Sequence, residues 1–182
     1  MDSKTKPKPV LSAVFFGLLC LNVSLGADTI TVNQSLSGAQ TIVSPGGIFE
    51  LGFFTPGNSS NFYIGMWYTK QVVSERTIVW VANREKPVSD RFYSVLKILD
   101  GNLVLLNESK TPVWSTSLTS TTTAACVQAL LMDSGNLVLR ARGSSNTCEQ
   151  LLWRSFDHPA HTWLPGSKIG FNKITKQIQV LN

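Results

Sequence analysis

Gly-Asn-Leu-Val-Leu stands at Gly101–Leu105 and again at Gly135–Leu139, with Asn102 and Asn136 34 positions apart. An Asp precedes each copy (Asp100, Asp133), and a Trp with a nearby Ser follows each (Trp114 and Ser115; Trp153 and Ser155). Asp, Gly and Asn ahead of a consecutive apolar run describe a tight turn feeding a buried strand. A 182-residue chain that reuses this phrase is expected to be built from repeated small β-sheets.

The surrounding sequence has the same character. Short runs of Val, Ile, Leu, Phe and Thr are punctuated by Gly, Pro, Asn, Asp and Ser, and helical apolar spacing is not sustained. Strands are expected at Thr29–Val32, Thr41–Val43, Ile48–Phe54, Phe62–Tyr68, Thr77–Ala82, Val95–Leu99, Leu103–Asn107, Pro112–Thr116, Cys126–Met132, Leu137–Ala141 and Leu151–Phe156. The unbroken apolar stretches Leu103–Leu106 and Leu137–Leu139 predict strands with little exposed face. Trp67, Trp80, Trp114 and Trp153 recur along the units, as core aromatics packed around a shared axis would.

The first 26 residues read as a targeting segment. Lys4, Lys6 and Lys8 precede an apolar stretch from Val10 to Val23, and Ser24-Leu25-Gly26 supplies small residues for cleavage. That stretch is 14 residues long, short of the roughly 20 that span a bilayer. Cleavage after Gly26 removes three Lys and one Asp, lowering the formal charge from +5 to +3. No basic block remains to argue for nucleic acid. The mature chain has no further apolar run of spanning length.

Cys126 and Cys148 would then be an even pair in an oxidising compartment. A bridge between them would close a loop of 22 positions and stabilise the fold by roughly 3 kcal/mol. Asn33, Asn58 and Asn107 head Asn-x-Ser acceptor triplets for glycosylation, Asn58 and Asn107 in turn-like stretches. No Cys-x-x-Cys or His-rich spacing suggests a metal, and no cofactor is implied.

Four segments then carry a family likeness: Phe49–Phe54, Ile64–Tyr68, Ile78–Arg84 and Leu152–Pro159. With their order, they resemble the bulb-type lectin domain at the N-terminus of plant S-locus-type (G-type lectin) receptor kinases, over nearly all of Ala27 to about Asn172. The resemblance implies an all-β, β-prism II fold: three four-stranded antiparallel sheets with pseudo-threefold symmetry, here after an N-terminal signal helix. Its domain would run from 27 to 160, with 161–182 starting a connection to a following domain.

The resemblance also implies binding of mannose-type glycans through Gln-x-Asp-x-Asn-x-Val-x-Tyr in each sheet, whose spacing of two puts the polar groups on one face. In the middle unit Asp100, Asn102 and Val104 match, while Ile98 and Leu106 replace Gln and Tyr. In the last, Asn136 and Val138 match, while Met132, Ser134 and Arg140 do not. In the first, Gly46, Ile48, Glu50, Gly52 and Phe54 fill the five positions without a match. The expected product is therefore a secreted, extracellular (apoplast) recognition domain with degenerate sugar motifs. The alternative is a protein- or peptide-binding ectodomain fragment or soluble decoy, with pairing to itself or to a related receptor.

Catalysis finds little support. Ser155, Asp157 and His158 are the residue types of a triad, but they crowd into one Pro-containing loop that reads better as a structural turn. The Gly-rich loop, His-Arg-Asp and Asp-Phe-Gly of kinases do not occur in these 182 residues.

Overall fold

The computed structural model describes residues 27–119, 127–142, 149–158, 160–162, 164–166, 170–171 and 178–179. The expected signal segment and both Cys126 and Cys148 lie outside the described residues. The strands are β1 (Thr29–Thr31), β2 (Ser35–Leu36), β3 (Thr41–Val43), β4 (Phe49–Phe54), β5 (Tyr63–Tyr68), β6 (Ile78–Val81) and β7 (Val95–Leu99). They continue as β8 (Asn102–Leu106), β9 (Pro112–Ser115), β10 (Val127–Leu131), β11 (Leu137–Arg142), β12 (Glu149–Arg154), β13 (Gly170–Phe171) and β14 (Ile178–Gln179).

Twelve of these form three four-stranded antiparallel sheets, β3-β4-β5-β6, β2-β7-β8-β9 and β1-β10-β11-β12, as the resemblance implied. Each sheet takes three consecutive strands from the body of the chain and its first strand from the segment 29–43. That segment visits the sheets in reverse order. It covers an edge of each sheet that would otherwise leave unpaired N–H and C=O groups. Strand β2 was not expected because two residues show no alternation; it exists through its pairing of Ser35 with Lys97 and Leu36 with Leu96. Among the described residues, strands β13 and β14 pair only with each other.

The interior is filled from all three sheets. Leu51, Met66, Leu96, Leu105, Leu131 and Leu139 are fully buried, each such side chain contributing about 1.5–3 kcal/mol. The consecutive apolar strands are closed on both faces as expected: Val104 and Val138 are 5% and 3% exposed, like their inward-facing neighbours. Trp80, Trp114 and Trp153 lie on the last strand of each sheet and meet edge-to-face, with centroids 5.9, 5.9 and 6.0 Å apart. Trp67 departs from the expectation. It faces away from that centre, in a second cluster with Phe54 and Val81.

His158 stacks on Trp153 with centroids 4.9 Å apart. Burial pushes both His158 and His161 below the ordinary histidine range, with Asp157 opposing the shift at His158 and Arg84 adding to it at His161. The folded chain therefore resists protons that the unfolded chain accepts near pH 6.5. This contribution to stability is full above that pH and is lost as pH falls through the lowered folded values. Melting temperature should drop between pH 7.5 and pH 5, and less so for His158→Gln. Parallel pH profiles for the two proteins would contradict this origin.

Candidate functional site

A common landmark sets the sheets in correspondence. The third strand of each has a register shift at the same place: Met66/Trp67 in β5, Leu105/Leu106 in β8 and Leu139/Arg140 in β11. A second landmark agrees with it. Near the start of each of these strands one backbone N–H is capped by a side chain from the segment ending in or following the Trp strand. Ile64 N–H donates to Asn83 Oδ1 (2.8 Å), Leu103 N–H to Thr116 Oγ1 (3.1 Å) and Leu137 N–H to Ser155 Oγ (3.0 Å).

These landmarks place the Asn of the expected sugar motif at Tyr63, Asn102 and Asn136, its Val at Gly65, Val104 and Val138, and its Tyr at Trp67, Leu106 and Arg140. The outer face of the first sheet is therefore carried by β5 opposite β4, and not by the Gly46–Phe54 hairpin that motif spacing suggested. The Trp residues held the missing signal: Trp80 follows Tyr63 by 17 positions, as Trp153 follows Asn136.

The hairpin loops change the frame again. In the middle sheet Asp100 and Gly101 have φ of 48° and 75°, a two-residue turn of the I′ kind, with Leu99 paired to Asn102. The last sheet uses a three-residue loop closed by Met132 N–H to Asn136 O at 3.0 Å, with Gly135 at φ 76°. One residue fewer in the turn rotates the strand before it. Ile98 consequently lies in the core opposite Leu103, and Leu99, not Ile98, reaches the outer face.

The matching residues are largely occupied by the fold. Asn102 Oδ1 accepts from Thr116 Oγ1 (2.9 Å) and Leu118 N–H (2.7 Å), while its Nδ2 donates to the carbonyls of Asp100 (3.3 Å) and Leu118 (3.4 Å). A carboxamide has two lone pairs and two N–H groups, so this one is fully used. Asn136 Oδ1 similarly accepts from Ser155 Oγ (3.2 Å) and Phe156 N–H (3.3 Å). Asp100 is exposed at the turn. Asp133 accepts from Gly46 N–H at 2.7 Å, tying the last sheet to the β3–β4 turn.

In the first sheet the equivalent groove is filled by aromatic side chains. A Cβ on Gly65 would overlap the Phe54 ring, and Trp67 Nε1 donates to Glu50 Oε2 at 2.9 Å beneath the Arg76 guanidinium. In the last sheet Arg140 lies 3.9 Å from Met132 Sδ. Ser155, the conceivable nucleophile, is buried, with its hydroxyl shared between Leu137 N–H and Asn136. It serves the fold.

The family pattern described as D-mannose binding lectin matches residues 77–182. The chain belongs to that family. The lectin chain is 54% identical over 172 residues to a G-type lectin S-receptor-like serine/threonine-protein kinase of Arabidopsis thaliana, covering 94% of this chain and 20% of the kinase. It is 48% identical over 154 residues to the receptor-like serine/threonine-protein kinase SD1-8 of the same plant, covering 84% and 18%. It is also 44% identical over 161 residues to the S-locus-specific glycoprotein S6 of Brassica oleracea, covering 87% and 36%. The chain thus spans about a fifth of the kinases it matches and corresponds to their lectin part. The Japanese Marasmius oreades lectin shares the fold with a TM-score of 0.51 at 19% identity, over 71% of this chain and 90% of its own.

Because Asn102 joins β8 to the segment after β9, its loss should register first as instability. Asn102→Ala removes the acceptor for Leu118 N–H and is expected to cost about 1–3 kcal/mol. Urea denaturation measures this directly, and an unchanged midpoint would show that the carboxamide is not a structural clamp.

Proposed function

We propose that this lectin-like chain is a secreted, non-catalytic recognition domain that acts outside the cell, with mannose binding weakened in all three sheets. The commitment of the Asn102 carboxamide to Thr116, Leu118 and Asp100 carries this reading, because it leaves the Asn of the best-matched motif without hydrogen-bonding capacity for a hydroxyl and only the Asp100 carboxylate to offer. Neutral contacts contribute about 0.5–1.5 kcal/mol each. Losing two of four lowers affinity roughly tenfold to a hundredfold.

A domain from 27 to 160, a Cys126–Cys148 bridge and glycans on acceptor asparagines belong to the same proposal. Asn33 and Asn58 are exposed, whereas Asn107 is half-buried and accepts from Ser109 and Thr111 N–H groups. Recognition of a protein or peptide is the second reading. Phe92 and Tyr93, 65% and 67% exposed, favour it as apolar anchors on the loop before β7.

Mannose-agarose chromatography tests the first reading. The protein is expected in the flow-through at physiological salt. Retention released by free mannose would establish an intact site.

A further inference from the structure

The middle sheet has a cleft of about 270 Å³ on its outer face, at the Leu106 end of β8. Its floor is Val95 and Leu106, which pair across β7 and β8, and its walls include Lys97, Lys110, Asn33 and Gln34. The volume lies just below the roughly 300–1,000 Å³ of pockets for drug-sized ligands and suits one unit of a longer chain. Among the described residues, no Asp or Glu lines it.

Its polar groups are biased towards donation. Lys ammonium groups only donate. Lys110 gives one N–H to Tyr93 O at 2.7 Å and keeps two. Gln34 Oε1 already accepts from Thr31 N–H and Oγ1, both at 3.0 Å, so its amide nitrogen is the group left to offer. The neighbouring acids face elsewhere: Asp90 accepts from Phe92 and Tyr93 N–H groups, and Glu108 from Ser89 Oγ. A ligand here must supply acceptors and negative charge, and an apolar face for Val95 and Leu106. A carboxylated pyranose has all three.

We propose that this cleft binds a uronic-acid unit of an acidic saccharide, its carboxylate held by Lys97 and Lys110 and its C–H face on Val95 and Leu106. The inference deepens the recognition reading above and rests on it. It replaces a neutral hexose gripped along β8 with an anionic one seated at the Leu106 end of the same face, over β7 and β8.

Asn33 also lines the cleft, so a glycan there would stand at its entrance; Ser35→Ala removes the acceptor triplet while keeping the Asn33 side chain. Calorimetric titration with oligogalacturonate should be run on the full chain and on the Ser35→Ala variant. Saturable binding in either protein is expected, lost with the methyl-esterified oligomer and with polyglutamate, and weakened at least tenfold by Lys97→Ala or Lys110→Ala. Lys70→Ala, in the β5–β6 loop, should leave it unchanged, and thermal melts verify that each variant folds. Equal binding of acid and ester, equal binding of polyglutamate, indifference to Lys97, or no binding in either protein would overturn the proposal. Oligomannose run in parallel separates the two readings: competable capture of it defeats the weakened-mannose reading alone. Silence with both sugars defeats the uronate site and leaves recognition of a protein or peptide standing.

Discussion

Trp80→Ala is expected to destabilise the protein by about 3–5 kcal/mol, the range for removing a buried aromatic side chain. Trp80 is 4% exposed and touches both Trp114 and Trp153 edge-to-face. Such ring pairs contribute about 0.5–1.5 kcal/mol beyond the area they bury. The three rings come from three different sheets, so the cavity would open where the sheets meet. No single sheet can collapse to refill it. For a domain of this size the melting temperature should fall by roughly 10 °C or more. A sharper signature is non-additivity. Trp80→Ala and Trp153→Ala empty one shared space, so the double variant should lose less than the sum of the singles. Strict additivity in a urea series would mean that the rings do not form one unit.

The next largest effect is expected at Gly135. Its φ of 76° lies in the left-handed region, where a side chain costs about 1–2 kcal/mol. A Cβ there would also overlap Leu164 and come within 2.8 Å of the Phe49 ring. Phe49 is itself packed against Tyr68 in a tilted ring pair with centroids 4.7 Å apart, and Leu164 is buried, so neither can yield easily. Overpacking of this kind adds about 1–3 kcal/mol. Gly135→Ala should therefore lose roughly 2–5 kcal/mol in all. Gly57 is the internal comparison, with φ 52° and nothing near its would-be Cβ. Gly57→Ala should show the backbone cost alone. Equal losses at the two positions would remove the packing argument.

Much of this was legible in the chain itself. Leu103–Leu106 and Leu137–Leu139 announced doubly buried strands because nothing polar interrupts them. Asp100-Gly101 announced a tight turn, and the structure makes it a two-residue hairpin with positive φ at both positions. The site was harder to read. Motif spacing put Ile98 where a sugar-binding Gln belongs, but spacing assumes a constant loop. The middle hairpin is one residue tighter than the last, which turns Ile98 into the core. In the first unit the long β4–β5 connection hid the correspondence of Tyr63 with Asn102.

Local chemistry along the chain thus determined which residues form strands, where the turns fall and that one unit recurs. Those depend on neighbours a few positions apart, through backbone sterics and alternation of apolar side chains. Only the tertiary structure decided what the recurring asparagines are for. Asn102 and Asn136 look free to grip a ligand until Thr116 and Ser155, just past the next strand of each sheet, are brought across to donate to their side-chain oxygens. The cleft beside Lys97 exists on the same terms, since β2 and the turn before it reach Lys97 from more than sixty positions away.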